Sequence, residues 1–179
     1  PTSTGEREIL FWQEAMTTAR LEHPNIVPVH DLGLDEEGCP MMAMKLVNGL
    51  GWNKMIAEDF NRLSVSEFLT KHIQILIQVC NAVAFAHSRG IVHRDLKPMQ
   101  VMIGEYGEVL LMDWGQAVLF DPTLMPERMG TISLPVVAPS VETAPNPSGT
   151  VAYMAPEQTG KMNRKMDARA DFYSMGVTF

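Results

Sequence analysis

The stretch His93-Arg94-Asp95-Leu96-Lys97-Pro98-Met99-Gln100 decides how this chain is read. It sets a carboxylate between two cations and closes on a side-chain amide. Downstream, Val101-Met102-Ile103 reads as a short strand, Glu105-Tyr106-Gly107-Glu108 as a turn, and Val109-Leu110-Leu111-Met112 as a second strand. The second strand delivers Asp113-Trp114-Gly115. The octet and Asp113 therefore flank one small hairpin, a geometry that brings Asp95, Gln100 and Asp113 to one edge.

Upstream, Gly90 ends a long helix expected over Ser66–His87, capped by Ser64 or Ser66 with Glu67 in the first turn. Leu69, Ile73, Leu76, Cys80 and Val83 recur at steps of three and four. Ile75, Ile77, Val79 and Phe85 widen that stripe, so burial on most sides is expected. Trp52 to Ala57 suggests a short helix. Before it, Ile26 to Leu34 and Met41 to Val47 read as a hairpin around Asp35-Glu36-Glu37-Gly38, ended by Asn48-Gly49. Glu6 to Leu21 reads as the first helix, with Ile9, Trp12, Met16 and Ala19 or Arg20 on one side and Glu14 in its middle. His23-Pro24-Asn25 breaks it.

Beyond the D-W-G triplet, residues 116–148 hold Pro122, Pro126, Pro135, Pro139, Pro145 and Pro147 and show no helical period. Loops of this length are uncommon inside a domain unless functional or disordered. Gly149-Thr150-Val151-Ala152-Tyr153-Met154-Ala155-Pro156-Glu157 follows, then a basic segment from Lys161 to Lys165, then an apolar helix starting at Asp171.

The chain has 179 residues, 46% of them hydrophobic, which suits one domain with a real core. A formal net charge of -7 offers no basic field for nucleic acid and little attraction to an anionic membrane surface. Cys39 and Cys80 form neither a disulfide framework nor a metal knot, which points to a reducing, cytoplasmic setting. No uninterrupted apolar run reaches about 18 residues, so no membrane contact is expected in this segment. The chain opens on Pro1 and stops at Phe179 inside an apolar stretch, so it reads as a piece of a longer protein, one whose remainder could carry a membrane anchor.

The ordered set of Glu14, a hairpin, a long helix, H-R-D-L-K-P-x-Q, a short hairpin, D-W-G, a long loop and G-T-x-x-Y-M-A-P-E resembles the eukaryotic-like serine/threonine protein kinases of bacteria. The resemblance runs over nearly the whole chain, and His23-Pro24-Asn25-Ile26-Val27 and Tyr153-Met154-Ala155-Pro156-Glu157-Gln158 look like that group in particular. It implies an α+β, protein-kinase-like fold, present in part. Residues 1–47 would hold the end of the small β-rich lobe, up to the hinge. Residues 48–179 would hold the first part of the helical large lobe: catalytic loop, D-W-G, activation segment and the start of a further helix.

The resemblance also implies roles. Asp95 would meet the incoming Ser or Thr hydroxyl of a protein substrate, with Lys97 beside the γ-phosphate of ATP. Asp113 and Gln100 would hold Mg²⁺. Glu14 would pair with a strand lysine that this sequence does not contain. Met44 to Val47 would be the hinge, with backbone groups of Lys45 and Val47 receiving adenine and Met102 lining the nucleotide site. Thr150 would hydrogen-bond near Asp95 and Lys97, and Asp171 would brace the H-R-D backbone. Arg94 would pair with a phosphorylated loop residue, for which Thr131, Ser133, Ser140, Thr143 and Ser148 are candidates.

Two residues depart from that pattern. Gln100 stands where the family has Asn, one methylene shorter, and Mg²⁺ demands near-ideal geometry, so lowered activity is expected. Thr18 stands where an apolar residue is usual, one turn after Glu14, which would loosen the helix. The alternative is a pseudokinase that binds nucleotide or scaffolds partners.

Overall fold

Helix α1 spans Thr4–Ala19, starting and ending two residues before the sequence pattern implied. The structure is a computed structural model, and it describes residues 4–124, 138–162 and 164–178. Thr18 sits within α1 at 4% exposure, and its hydroxyl donates to the Glu14 carbonyl at 2.8 Å, so its polar group is satisfied inside the helix. The chain then turns at His23-Pro24-Asn25. Asn25 Nδ2 donates to the Val109 carbonyl at 3.0 Å and to Gln78 Oε1 at 3.1 Å. This turn pins the upstream segment onto the strand that leads to Asp113.

Strands β1 (Val29–Leu34) and β2 (Pro40–Met44) form the expected antiparallel hairpin, with Leu34 opposite Pro40. Asp35 builds its turn, accepting from the backbone N–H groups of Glu37 and Cys39 at 2.9 and 2.7 Å. Asn48-Gly49 does not simply end this region. Strand β3 (Gly49–Gly51) begins there and pairs antiparallel with β5 (Val101–Gly104). A Cβ on Gly49 would run into the Ile103 carbonyl, so the close approach needs glycine. Strand β6 (Val109–Leu111) completes the sheet in the order β3-β5-β6.

Helix α2 covers Trp52–Phe60, three residues longer than expected, and α3 covers Val65–Ser88. Ser64 is the cap of α3. Its hydroxyl accepts from Glu67 N, and the Glu67 carboxylate accepts from Ser64 N at 3.0 Å, a reciprocal capping box. The expected burial of α3 on most sides is corrected. Its buried face is His72, Ile75, Val79, Ala82, Val83 and Ala86, whereas Leu69, Ile73 and Ile77 are 42–47% exposed. Apolar residues occur nearly all round this helix, so periodicity fits more than one stripe. The face that meets Trp52, Ile91 and Leu111 is the buried one, worth about 1.5–3 kcal/mol per large side chain. By length and composition alone α3 could cross a membrane. The same helix carries Glu67, Lys71, His72, Gln74 and Gln78.

Two short strands escaped the sequence reading: β4 (Ile91–Val92) and β7 (Val118–Leu119) pair antiparallel on either side of the octet and D-W-G. Helix α4 spans Arg169–Thr178. The architecture is α+β: among the described residues, small antiparallel sheets of two, three and two strands combine with helices, and the core holds Trp52, Ile91, Leu96, Val101, Leu111 and Trp114. Residues 95 to 100 and 113 to 115 are held where these pieces meet.

Candidate active site

The octet leaves β4 through a strained turn. Arg94 has φ 69° and Asp113 has φ 61°, left-handed conformations that cost non-glycine residues energy. Asp171 on α4 braces the first of these turns. Its two oxygens accept from the backbone N–H groups of His93 and Arg94, each at 2.9 Å, and His87 Nε2 lies 2.8 Å from the same carboxylate. His93 Nδ1 accepts from Asp95 N at 3.3 Å, which leaves Nε2 to donate to the Met112 carbonyl at 3.1 Å. The His93 ring packs 4.7 Å from Trp114, which is 1% exposed. One histidine thereby ties the octet to the strand end that precedes Asp113.

Asp95, Lys97 and Thr150 close a triangle. Lys97 Nζ donates to Asp95 Oδ2 at 2.5 Å and to Thr150 Oγ1 at 2.6 Å, and the backbone N–H of Thr150 donates to Asp95 Oδ1 at 2.7 Å. Burial opposes ionisation of Asp95. The hydrogen bonds from Lys97 and Thr150, with the Lys97 charge, outweigh it and hold the carboxyl below its ordinary pKa. Gln100 links this triangle to Asp113: its Nε2 lies 2.6 Å from Asp113 Oδ2 and 3.5 Å from Asp95 Oδ2. Four side chains from the octet and the D-W-G turn thus converge with a fifth from position 150, 53 residues beyond Lys97.

Glu14 reaches the same place from α1. A Cβ on Gly115 would meet Glu14 Oε2 at 2.9 Å, so the carboxylate lies against the D-W-G glycine. Burial first, then the charge of Asp113, raises the Glu14 pKa. Among the described residues no cation pairs with it.

Arg94 is buried, and its Nε donates to the Gln116 carbonyl at 2.7 Å while Nη1 reaches the Pro145 carbonyl at 3.3 Å. It therefore staples the start of the loop after D-W-G to its end. Burial lowers the Arg94 pKa, against the opposing pull of Asp171. Gln158, which closes the Tyr153–Gln158 string, is wholly buried. Its Nε2 donates to the Arg94 carbonyl at 2.7 Å and the Ser148 carbonyl at 3.1 Å, and its Oε1 accepts from Ala155 N at 3.0 Å. No periodicity marks such a residue, because its partners are backbone groups 10 and 64 positions away.

At the expected hinge, the Lys45 N–H donates to the Pro28 carbonyl at 3.0 Å, and among the described residues its own carbonyl accepts no hydrogen bond. The Lys45 ammonium lies 3.5 Å from Glu108. Among the described residues the backbone groups of Val47 carry no hydrogen bond. Met102 lies on β5 two residues past Gln100, half-buried, opposite Gly51 on one side and Leu110 on the other. Thr143 and Ser140 sit in one exposed turn, and the Ser148 hydroxyl contacts Gln116 Oε1. Thr131 and Ser133 lie outside the described residues.

The donor set favours a hard cation: Asp113 offers a carboxylate, and carboxylate oxygen suits Mg²⁺. Among the described residues no group of three or more His, Cys, Asp or Glu is placed to hold a metal ion. An ion at Asp113 would therefore take most of its ligands from substrate phosphates and water, a usual arrangement for Mg²⁺.

The sequence profile described as "Protein kinase domain" matches residues 2–179. The chain is 34% identical over 177 residues to the serine/threonine-protein kinase PknD of Protochlamydia amoebophila, an alignment covering 93% of this chain and 18% of that protein. It is 35% identical over 168 residues to the DNA damage-responsive serine/threonine-protein kinase RqkA of Deinococcus radiodurans, covering 93% and 22%. It is 32% identical over 171 residues to the serine/threonine-protein kinase pkn3 of Myxococcus xanthus, covering 93% and 28%. The chain thus spans between 18% and 28% of the length of these curated relatives.

Proposed function

This chain belongs to the protein kinase domain family, and from that footing we propose that it is the central part of a serine/threonine protein kinase that transfers the γ-phosphoryl group of ATP to Ser or Thr hydroxyls of protein substrates. The observation that carries the reading is the Asp95–Lys97–Thr150 triangle joined through Gln100 to Asp113. Residues 1–47 belong to the small lobe and residues 48–179 to the large lobe. The segment works in the cytoplasm.

The chemistry follows from the bonding. Asp95 is an ionised acceptor, because its depressed pKa keeps the proton off. An incoming hydroxyl donates to it and is oriented for attack; its proton leaves toward the carboxylate as the new P–O bond forms. Lys97 has three N–H donors. Asp95 and Thr150 take two, and the third is free for an oxygen of the transferred phosphoryl. Asp113 has Oδ2 fixed by Gln100, leaving Oδ1 for a cation. Asp113 would hold Mg²⁺ there, and the ion would supply neutralisation of phosphate charge. Glu14, a half-buried carboxylate without a cation among the described residues, suits pairing with a lysine from the remainder of the small lobe. The Lys45 carbonyl and the Val47 backbone are open to adenine, with Met102 beneath it. Autophosphorylation of the loop after D-W-G fits a buried Arg94 that already spans both of its ends.

Incubation of the full-length protein with radiolabelled ATP and a Ser/Thr-containing protein tests this. Label on protein that disappears in Asp95→Asn is the expected result, and equal label in both refutes the role of Asp95. The pseudokinase reading draws on one observation, the amide nitrogen of Gln100 facing two carboxylates. No label with retained nucleotide binding would establish it instead.

A further inference from the structure

Gln100 meets the two acidic side chains of the site with its nitrogen. Nε2 is 2.6 Å from Asp113 Oδ2 and 3.5 Å from Asp95 Oδ2. An ionised carboxylate only accepts, and a carboxamide nitrogen carries two hydrogens. The orientation is therefore dictated by the neighbours: with the amide turned over, Oε1 would face Asp113 Oδ2, oxygen against oxygen, and both carboxylates would lose a donor.

The backbone that carries this side chain is tied on both sides. Gln100 ends a 3-10 turn at Pro98–Gln100, its N–H donates to the Lys97 carbonyl at 2.9 Å, and its carbonyl accepts from Met112 N at 2.9 Å. The residue is 9% exposed. A ligand of Mg²⁺ or Mn²⁺ must turn an oxygen toward the ion. Gln100 turns a donor toward the carboxylates instead, so it does not fit the ligand role. Its partly positive NH₂ occupies the place between Asp95 and Asp113 where a second cation would otherwise offset their repulsion. Lys97 already meets the charge of Asp95 at 2.5 Å.

We propose that Gln100 is a positioning residue that orients Asp113 and links it to Asp95, and that this site takes a single divalent cation, held at Asp113. The inference rests on the kinase reading above and concerns how that site is loaded.

The test counts ions. Mn²⁺ is titrated by electron paramagnetic resonance into the full-length protein saturated with a non-hydrolysable ATP analogue. One Mn²⁺ per protein–nucleotide complex is expected. Gln100→Leu should keep the count at one and weaken Mn²⁺ binding about 10- to 100-fold, because the ligand-orienting hydrogen bond is lost. Two ions in the native protein overturn the proposal, and that count needs no variant. An unchanged Mn²⁺ affinity in Gln100→Leu overturns the positioning role. Absence of any nucleotide-dependent Mn²⁺ binding overturns the kinase reading, and this inference with it.

Discussion

Asp171 and Arg94 are 77 residues apart and joined at 2.9 Å, helix carboxylate to backbone N–H, at a residue whose φ is 69°. The strained turn that aims Asp95 is thus held by one buried carboxylate, which also accepts from His93 N and faces His87. Truncation would leave two buried N–H groups without an acceptor and the left-handed turn without its brace. Asp171→Ala is expected to lower stability by about 3–5 kcal/mol, a range set by breaking buried charged pairs. Asp171→Asn, which keeps one acceptor, should lose less. Denaturant midpoints measure both, and a loss under about 1 kcal/mol in the alanine variant contradicts the bracing role.

Asp95 provides a pH signature. Its pKa is depressed because Lys97 and Thr150 outweigh burial. A depressed carboxylate stays ionised down to its lowered pKa, so native kcat/KM should show no Asp95 limb between about pH 5 and 8. Lys97→Met removes both the hydrogen bond and the charge of Lys97, while the Thr150 bonds remain, so the Asp95 pKa should rise relative to the native protein. The acid limb of that variant's residual activity should therefore lie at higher pH than the native one. Asp95→Asn should cost about 10²–10⁴ in kcat, the usual worth of a general base. An acid limb for Lys97→Met at or below the native one would sink the account of how Asp95 is tuned.

Glu14 behaves in the opposite sense. Its raised pKa means that the stability linked to it is present below the ordinary value of 4.5 and lost as pH rises through the folded value. At neutral pH the 179-residue chain therefore holds a carboxylate that burial and Asp113 both penalise. Glu14→Gln should raise the melting temperature of this chain near pH 7, while abolishing phosphoryl transfer in the full-length protein, where a lysine partner is expected. Calorimetry decides it: a lower melting temperature in the variant removes the argument.

The sequence was most legible where the residues that matter are neighbours. H-R-D-L-K-P-x-Q and D-W-G bracket a hairpin, and two short apolar runs with a Gly-containing turn between them sufficed to place Asp95, Gln100 and Asp113 together. Thr150, Asp171 and Glu14 are remote in sequence, and only the resemblance to a family tied them to the octet. What stayed hidden was decided by tertiary packing. Strands β4 and β7 have two residues each, too few for any period. The buried face of α3 was chosen by what packed against it, Trp52 above all, rather than by its own pattern. Gln158 acts through backbone carbonyls, which no side-chain pattern reports.

His72 is the clearest product of that packing, and it yields the last prediction. It is fully buried on α3, where Nδ1 accepts the Trp52 indole N–H at 2.9 Å and Nε2 lies 3.3 Å from Asp59 Oδ2. Lys71 bonds the same Asp59 oxygen at 2.5 Å, and Phe68 packs 4.2 Å from the ring. A second proton would have to enter at Nδ1, where Trp52 already places a hydrogen. Burial lowers the His72 pKa, Asp59 opposes that, and Lys71 reinforces it, so the folded chain keeps the ring neutral. A histidine with a lowered folded pKa contributes stability that is complete above its ordinary value of 6.5 and is lost as pH falls from there toward the folded value. The melting temperature should therefore drop between about pH 7.5 and 5.5. His72→Gln keeps an acceptor for Trp52 and cannot titrate in that window, so its melting temperature should fall less steeply than that of the native chain. Parallel slopes for the two proteins would show that the Trp52–His72–Asp59 contact carries no pH-dependent stability.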